Sequence, residues 1–246
     1  MPFDYGAAAI EIRPDIPQAY CEYWQTLAKP GAWWRGVQRV AIARETRNAI
    51  TCEFCLERKE ALSPYGSKGS HDHATDLSEI AIDAVHRIVT DQARITRQWI
   101  DDNAAGDLGK PAYVELVGIV VAVFSIDEFH RALDLPLEPL PEPQPGEPSH
   151  YVPAHLSDDV GFVPMVAMDG AVGPEADLWG PRGSANVVRA LSLAPDALRD
   201  WVKIGDAQYL SFEGMGNFGQ PENRTINRMQ IELVAGRVSS INECFY

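Results

Sequence analysis

Cys52 and Cys55 stand three residues apart in Thr51-Cys52-Glu53-Phe54-Cys55. In a chain with only four cysteines this spacing points to redox chemistry or metal binding rather than to a disulfide scaffold. One helix is expected to end near Asn48 to Ile50 and another to begin at or just after Thr51. A thiol in the first turn of a helix feels the partial positive charge of unpaired N–H groups, which favours the nucleophilic thiolate. Three residues of helix carry the second sulfur back over the first, within reach of a disulfide. The same spacing supplies half of a zinc site, but zinc needs two further ligands. No second CxxC exists, and only His71 and His73, beyond a Gly/Ser loop, lie close enough in sequence to complete one. The pair is therefore read as a redox pair, with a structural pair as the bland alternative, and neither a metal nor a cofactor is expected.

The elements that must position these sulfurs are helical. Apolar residues recur at helical spacing over Pro17–Leu27, Val37–Ile50 and Asp76–Thr90, with a further helix from Thr90-Asp91 through Trp99. Residues 111–133 contain the longest apolar run, Leu116 to Phe124, which would suit a buried strand, but the pattern continues through Phe129 without a turn and is too long for an ordinary strand. A dense series of prolines (136, 139, 141, 143, 145, 148 and 153) then breaks the chain, removing backbone donors and prescribing an extended connector. Residues 161–184 are Gly/Pro-rich and irregular. Helical patterns return at Asn186–Leu193, from Pro195 at a first helical position through Trp201, and at Thr225–Asn242, where Ile226, Met229, Leu233, Val234, Val238 and Ile241 share a broad apolar face. No period-two alternation appears. The expected fold is all-α, on two separate bodies: a helical domain over 1–135, a linker over 136–160 and a second unit over 161–246.

Composition bounds the function. Across 246 residues the formal net charge is −14, which disfavours nucleic acid as a partner, and 46% hydrophobic residues suffice to fill a core. No apolar run reaches the ~18 residues of a spanning helix, and Met1-Pro2-Phe3-Asp4 does not open a secretory signal. A cytoplasmic protein without a membrane partner is expected. No Gly-rich phosphate loop, Ser/His/Asp arrangement or basic patch is present. His86 is either a packed helix residue or an acid or base near the cysteines, and His71-Asp72-His73 is expected to be a solvated loop. His130, His150 and His155 carry no spacing argument. Cys21, amid Tyr20, Tyr23 and Trp24, is expected in the core, and Trp33-Trp34 should pack or lie at an interface.

Taken together, Gln38-Arg39-Val40-Ala41-Ile42-Ala43, Cys52-Glu53-Phe54-Cys55, Leu77-Ser78-Glu79, Tyr113-Val114-Glu115-Leu116-Val117-Gly118-Ile119-Val120 and Ala132-Leu133-Asp134-Leu135-Pro136 resemble the AhpD-like alkylhydroperoxidase and carboxymuconolactone decarboxylase superfamily. The resemblance covers roughly residues 16–136. It implies an all-helical homo-oligomer whose CxxC pair reduces hydroperoxides, with Cys55 as the attacking residue and Cys52 as the resolving one. The family's Glu, twelve residues before its first Cys, and its His, four after its second, are replaced here by Val40 and Lys59. Glu45, seven residues or about two helical turns before Cys52, could return to the same face as a substitute. Lys59 could support a thiolate by charge. Both could equally be solvated surface charges.

A second stretch, Arg228-Met229-Gln230-Ile231-Glu232-Leu233-Val234-Ala235-Gly236 through Asn242-Glu243-Cys244-Phe245-Tyr246, resembles the same motif helix, and Glu232 stands twelve residues before Cys244, at the family's Glu position. Asn186–Leu191 and Pro195–Trp201 resemble the helix that leads into it. The chain is thus expected to be two tandem units, the second ending within its motif, and the reading frame to continue through a UGA codon for selenocysteine after Tyr246, with Cys244 as the resolving partner. The functional expectation is a thiol-dependent, hydroperoxide-reducing antioxidant enzyme using Cys52, Cys55, Glu232 and Cys244, supported by Glu45, Lys59 or His86. It would act on a hydroperoxide with an unidentified thiol electron donor. The alternatives are a non-catalytic scaffold with a degenerate site and decarboxylase-like chemistry, which needs no CxxC.

Overall fold

The computed structural model describes residues 3–180, 183–219 and 223–241. The chain is all-α apart from one two-residue pairing among the described residues. Its helices are α1 (Asp15–Leu27), α2 (Gly36–Ala49), α3 (Glu53–Glu60), α4 (Glu79–Thr90), α5 (Arg97–Ala104) and α6 (Lys110–Ala132). After the proline-rich stretch come β1 (Leu156–Ser157) and β2 (Met165–Val166), paired antiparallel. Then follow α7 (Asn186–Arg189), α8 (Pro195–Gln208), α9 (Phe212–Gly216) and α10 (Arg228–Ile241).

The apolar run at 116–124 is the middle of α6, a 23-residue helix with Leu116, Ile119, Val120, Val123 and Ile126 almost fully buried. Such a helix is apolar on nearly every side because it is surrounded. On one side it packs against α2 and α4, on another against α8, and α8 also packs on α1. The further helix expected from Thr90-Asp91 starts later, because Asp91 leaves helical geometry, a short 3-10 turn follows at Gln92–Arg94, and Thr96 then caps α5 by accepting the Trp99 N–H at 3.2 Å.

The expectation of two separate bodies is corrected. One hydrophobic core runs from Tyr20, Leu27, Ile42 and Val85 through α6 into Val166, Leu193, Leu198 and Ile204. Gly118 allows the join: a Cβ there would stand 2.7 Å from the Cβ of Ala197 in α8. Tyr20 accepts a hydrogen bond from Gln208 at 2.8 Å across the same boundary. The proline-rich segment is extended, as its composition dictates, and it is tacked down. Pro139 accepts the Trp24 indole N–H at 2.9 Å, and the amides of Gln144 and His150 donate to the carbonyls of Ala28 and Ala32 at 2.7 Å.

α10 differs from the rest. Only Ile231 is buried, while Met229, Leu233, Val234, Val238 and Ile241 are exposed. The apolar face read from the sequence exists but faces outward among the described residues. Among those residues no helix is long and apolar enough to cross a membrane.

Candidate functional site

Three elements and a loop converge on the cysteine pair. α2 ends at Ala49, and the chain turns through Thr51 into α3 with Cys52 as its N-cap residue and Cys55 in its first turn. Both sulfurs are buried, at about 1% exposure. Residues 61–78 then loop back over the start of α3. Asp72 pins this loop by accepting the Glu53 N–H at 3.3 Å and by offering its carbonyl to the Asn48 amide. Gly69 lets it pass, since a Cβ there would fall 2.4 Å from the Phe54 ring. The loop delivers His71, and α4 delivers Asp83 and His86 one helical turn apart.

The side chains form two parallel relays. His86 Nδ1 lies 3.2 Å from Cys55 Sγ and its Nε2 2.9 Å from Glu45 Oε1, with both side chains fully buried. His71 Nδ1 lies 3.4 Å from Cys55 Sγ and 3.7 Å from Cys52 Sγ, and its Nε2 2.9 Å from Asp83 Oδ1. A carboxylate only accepts, so each Nε2 carries the proton and each Nδ1 turns its lone pair toward sulfur. The imidazole rings sit 4.2 Å apart, centroid to centroid.

Electrostatics follow from burial and hydrogen bonding. Burial, reinforced by the neighbouring Cys52, pushes the Cys55 thiol up to about 12. Thus α3's N-terminal turn does not by itself make Cys55 a thiolate, and a base must take its proton. Burial also lowers His86, which keeps the ring neutral, with its Nδ1 facing the thiol. Burial would raise Glu45, but hydrogen bonds from His86, the Ala74 N–H, Thr75 and Asn48 outweigh it and hold the carboxyl low. Burial likewise opposes ionisation of Asp83, and His71, Arg87 and Arg58 together hold it well below the usual carboxylate range.

Of the residues singled out from sequence, Cys52, Cys55, Glu45 and His86 are brought together. Lys59 is not: it lies exposed, and the cation beside the sulfur is Arg58, whose guanidinium stands 3.7 Å from Cys55 Sγ and 2.6 Å from Asp83. A guanidinium can bridge the carboxylate and the sulfur at once, whereas the ammonium of Lys59, one residue on, is left to solvent. Glu232 lies exposed on α10, paired with Arg228 at 2.8 Å and accepting the Tyr209 hydroxyl at 2.6 Å. Cys244 lies outside the described residues. The reading of His71-Asp72-His73 as solvated holds for His73, which is exposed, and fails for His71, which is buried against both sulfurs. Asp83 and Arg58 are the members that sequence reasoning missed, and His71 was singled out only as a possible metal ligand. The one local signal was Asp83-Ala84-Val85-His86, two polar residues sharing the inner face of an otherwise apolar helix.

A cavity of about 630 Å³ beside the site is lined by Val40, Arg44, Ala74, Thr75 and Pro141 among others. It reaches the loop that holds Glu45, not the sulfurs. No protein-family model, curated protein or solved structure matches this chain.

Proposed function

We propose that the chain is a dithiol oxidoreductase that reduces hydroperoxides, with Cys55 as the attacking residue and Cys52 as the resolving one. The observation that carries this reading is the buried chain from Glu45 through His86 to Cys55, with the second thiol inside the same cluster. His86 Nδ1 takes the Cys55 proton while Glu45 holds Nε2–H and steadies the imidazolium that forms. The thiolate attacks the terminal peroxide oxygen, the O–O bond breaks, and the departing alkoxide leaves as alcohol with the proton carried by His86. Cys55 becomes a sulfenic acid. Cys52 then attacks that sulfur, releasing water and closing the disulfide, and an external thiol donor supplies the two electrons and two protons that restore the pair.

The relay that the family motif would place at positions 40 and 59 is here supplied by Glu45 and His86 from other turns of the fold, which argues against a degenerate scaffold. Because both sulfurs are closed from solvent, the reading requires the 61–78 loop to open for the peroxide. The test is turnover of an organic hydroperoxide with dithiothreitol as donor. Cys55→Ser should abolish turnover. Cys52→Ser should still consume peroxide in a single round and accumulate a sulfenic acid that dimedone traps. Turnover undiminished in Cys55→Ser overturns the assignment.

A further inference from the structure

The four side chains around the cysteine pair have a second capability that does not depend on peroxide chemistry. Cys52 Sγ, Cys55 Sγ and one nitrogen each of His71 and His86 lie within 4.8 Å of one another, and all four residues are buried. We infer that in the reduced protein Cys52, Cys55, His71 and His86 form a tetrahedral Cys2His2 binding site for a divalent zinc-type ion. This goes beyond the proposed peroxidase reading and does not rest on it.

Geometry argues for it first. Tetrahedral zinc with Zn–S near ~2.3 Å and Zn–N near ~2.0 Å sets neighbouring sulfur and nitrogen ligands about 3.5 Å apart. Three of the four sulfur-to-nitrogen separations here are 3.2, 3.4 and 3.7 Å. Three of the six edges of such a tetrahedron are thus already near their length, and all four donor atoms lie within 4.8 Å of one another. Donor chemistry argues for it second. Two thiolates and two neutral imidazoles are a matched set for zinc, and the charge of the ion balances that of the thiolates inside a closed pocket.

The surrounding shell argues for it third. Each histidine turns Nδ1 inward and gives Nε2–H to a carboxylate, Asp83 for His71 and Glu45 for His86. Those carboxylates are themselves held, Glu45 by Asn48, Ala74 and Thr75 and Asp83 by Arg58 and Arg87. Carboxylate partners of this kind fix the tautomer and raise the basicity of metal-bound histidines. A single relay would serve a thiol peroxidase. The second, built on His71 and Asp83, faces both sulfurs and supplies the fourth donor. Of the two histidines that the sequence offered as further ligands, His71 is in place, whereas His73 is exposed, and His86, thirty-one residues beyond Cys55, takes the place it would have filled.

The test uses the full chain, reduced and freed of metal. Titration with Co2+ should give one equivalent bound, with a sulfur-to-cobalt charge-transfer band and intense visible bands of tetrahedral cobalt, displaced by Zn2+. Cys52→Ser and His71→Ala should each weaken binding by more than a hundredfold, and Asp83→Asn by about 10–100-fold. Circular dichroism separates lost binding from lost fold. Wild type oxidised to the disulfide should take up no metal. Failure of reduced wild type to bind Co2+ or Zn2+, or binding undiminished in both ligand variants, overturns the site. Peroxide turnover is read separately on the same preparation, so a protein that binds zinc without reducing peroxide, or the converse, identifies which of the two readings fails.

Discussion

At the scale of single residues, Glu45 does more than carry a charge. Its carboxylate accepts from His86 Nε2, which leaves the Nδ1 lone pair for the Cys55 thiol. In Glu45→Gln the side-chain amide can donate to Nε2 instead, forcing the proton onto Nδ1 and presenting a donor where the thiol needs an acceptor. The packing changes by little, yet the rate at which Cys55 reacts with peroxide should fall about 10²- to 10⁴-fold. Stopped-flow measurement of that rate, with far-ultraviolet circular dichroism as the fold control, checks it. A rate within a few-fold of wild type refutes the tautomer argument. Glu45 was legible because it returns to the cysteine face after about two turns of helix. The burial of His71 against the sulfurs was not, since it hangs from a loop whose course depends on Gly69 clearing the Phe54 ring and on Asp72 bonding the Glu53 N–H and the Asn48 side-chain amide. No periodicity encodes that.

At the scale of elements, α2 and α6 are joined by a buried ion pair, Arg39 with Glu115, whose side chains are 6% and 2% exposed. Glu115 also accepts the Trp33 N–H at 2.6 Å, and Trp34 donates its indole N–H to Ala112 at 2.9 Å. The Trp33-Trp34 dipeptide thus clamps the entry to α2 onto α6. Truncating Glu115 to alanine leaves a buried guanidinium without its partner, which should cost about 3–5 kcal/mol. Urea denaturation should show the midpoint falling with the slope unchanged, and a loss under about 1 kcal/mol would mean that the pair contributes no more than a surface one. Helix positions were readable from apolar spacing, including α6 despite its strand-like centre. The pairing of Arg39 with Glu115 was not, since charged residues on a helix are ordinarily solvated and only the approach at Gly31 brings these two under cover.

At the scale of the whole molecule, the proline-rich break in composition suggested two bodies, and the core is continuous instead. The difference has a physical source: prolines remove donors and prohibit helix, but they do not prevent an extended chain from lying against a surface and returning its helices to it. Gly118→Val inserts branched carbon where α6 meets Ala197, and overpacking of this kind costs about 1–3 kcal/mol. Amide hydrogen exchange should then rise in α1 and α8 together, because both lean on the same core, whereas a rise confined to α8 would restore the picture of independent units. The 61–78 loop has a wider consequence. It carries His71 and the Ala74 and Thr75 groups that hold Glu45, but it contains no helix of its own. Its conformational entropy is therefore opposed by contacts to the site and by bonds such as those of Tyr65 with Arg94 and Thr96. Because His71 belongs to that loop and touches both sulfurs, a change at the sulfurs that displaces its ring is expected to loosen residues 61–78, which amide hydrogen exchange would read.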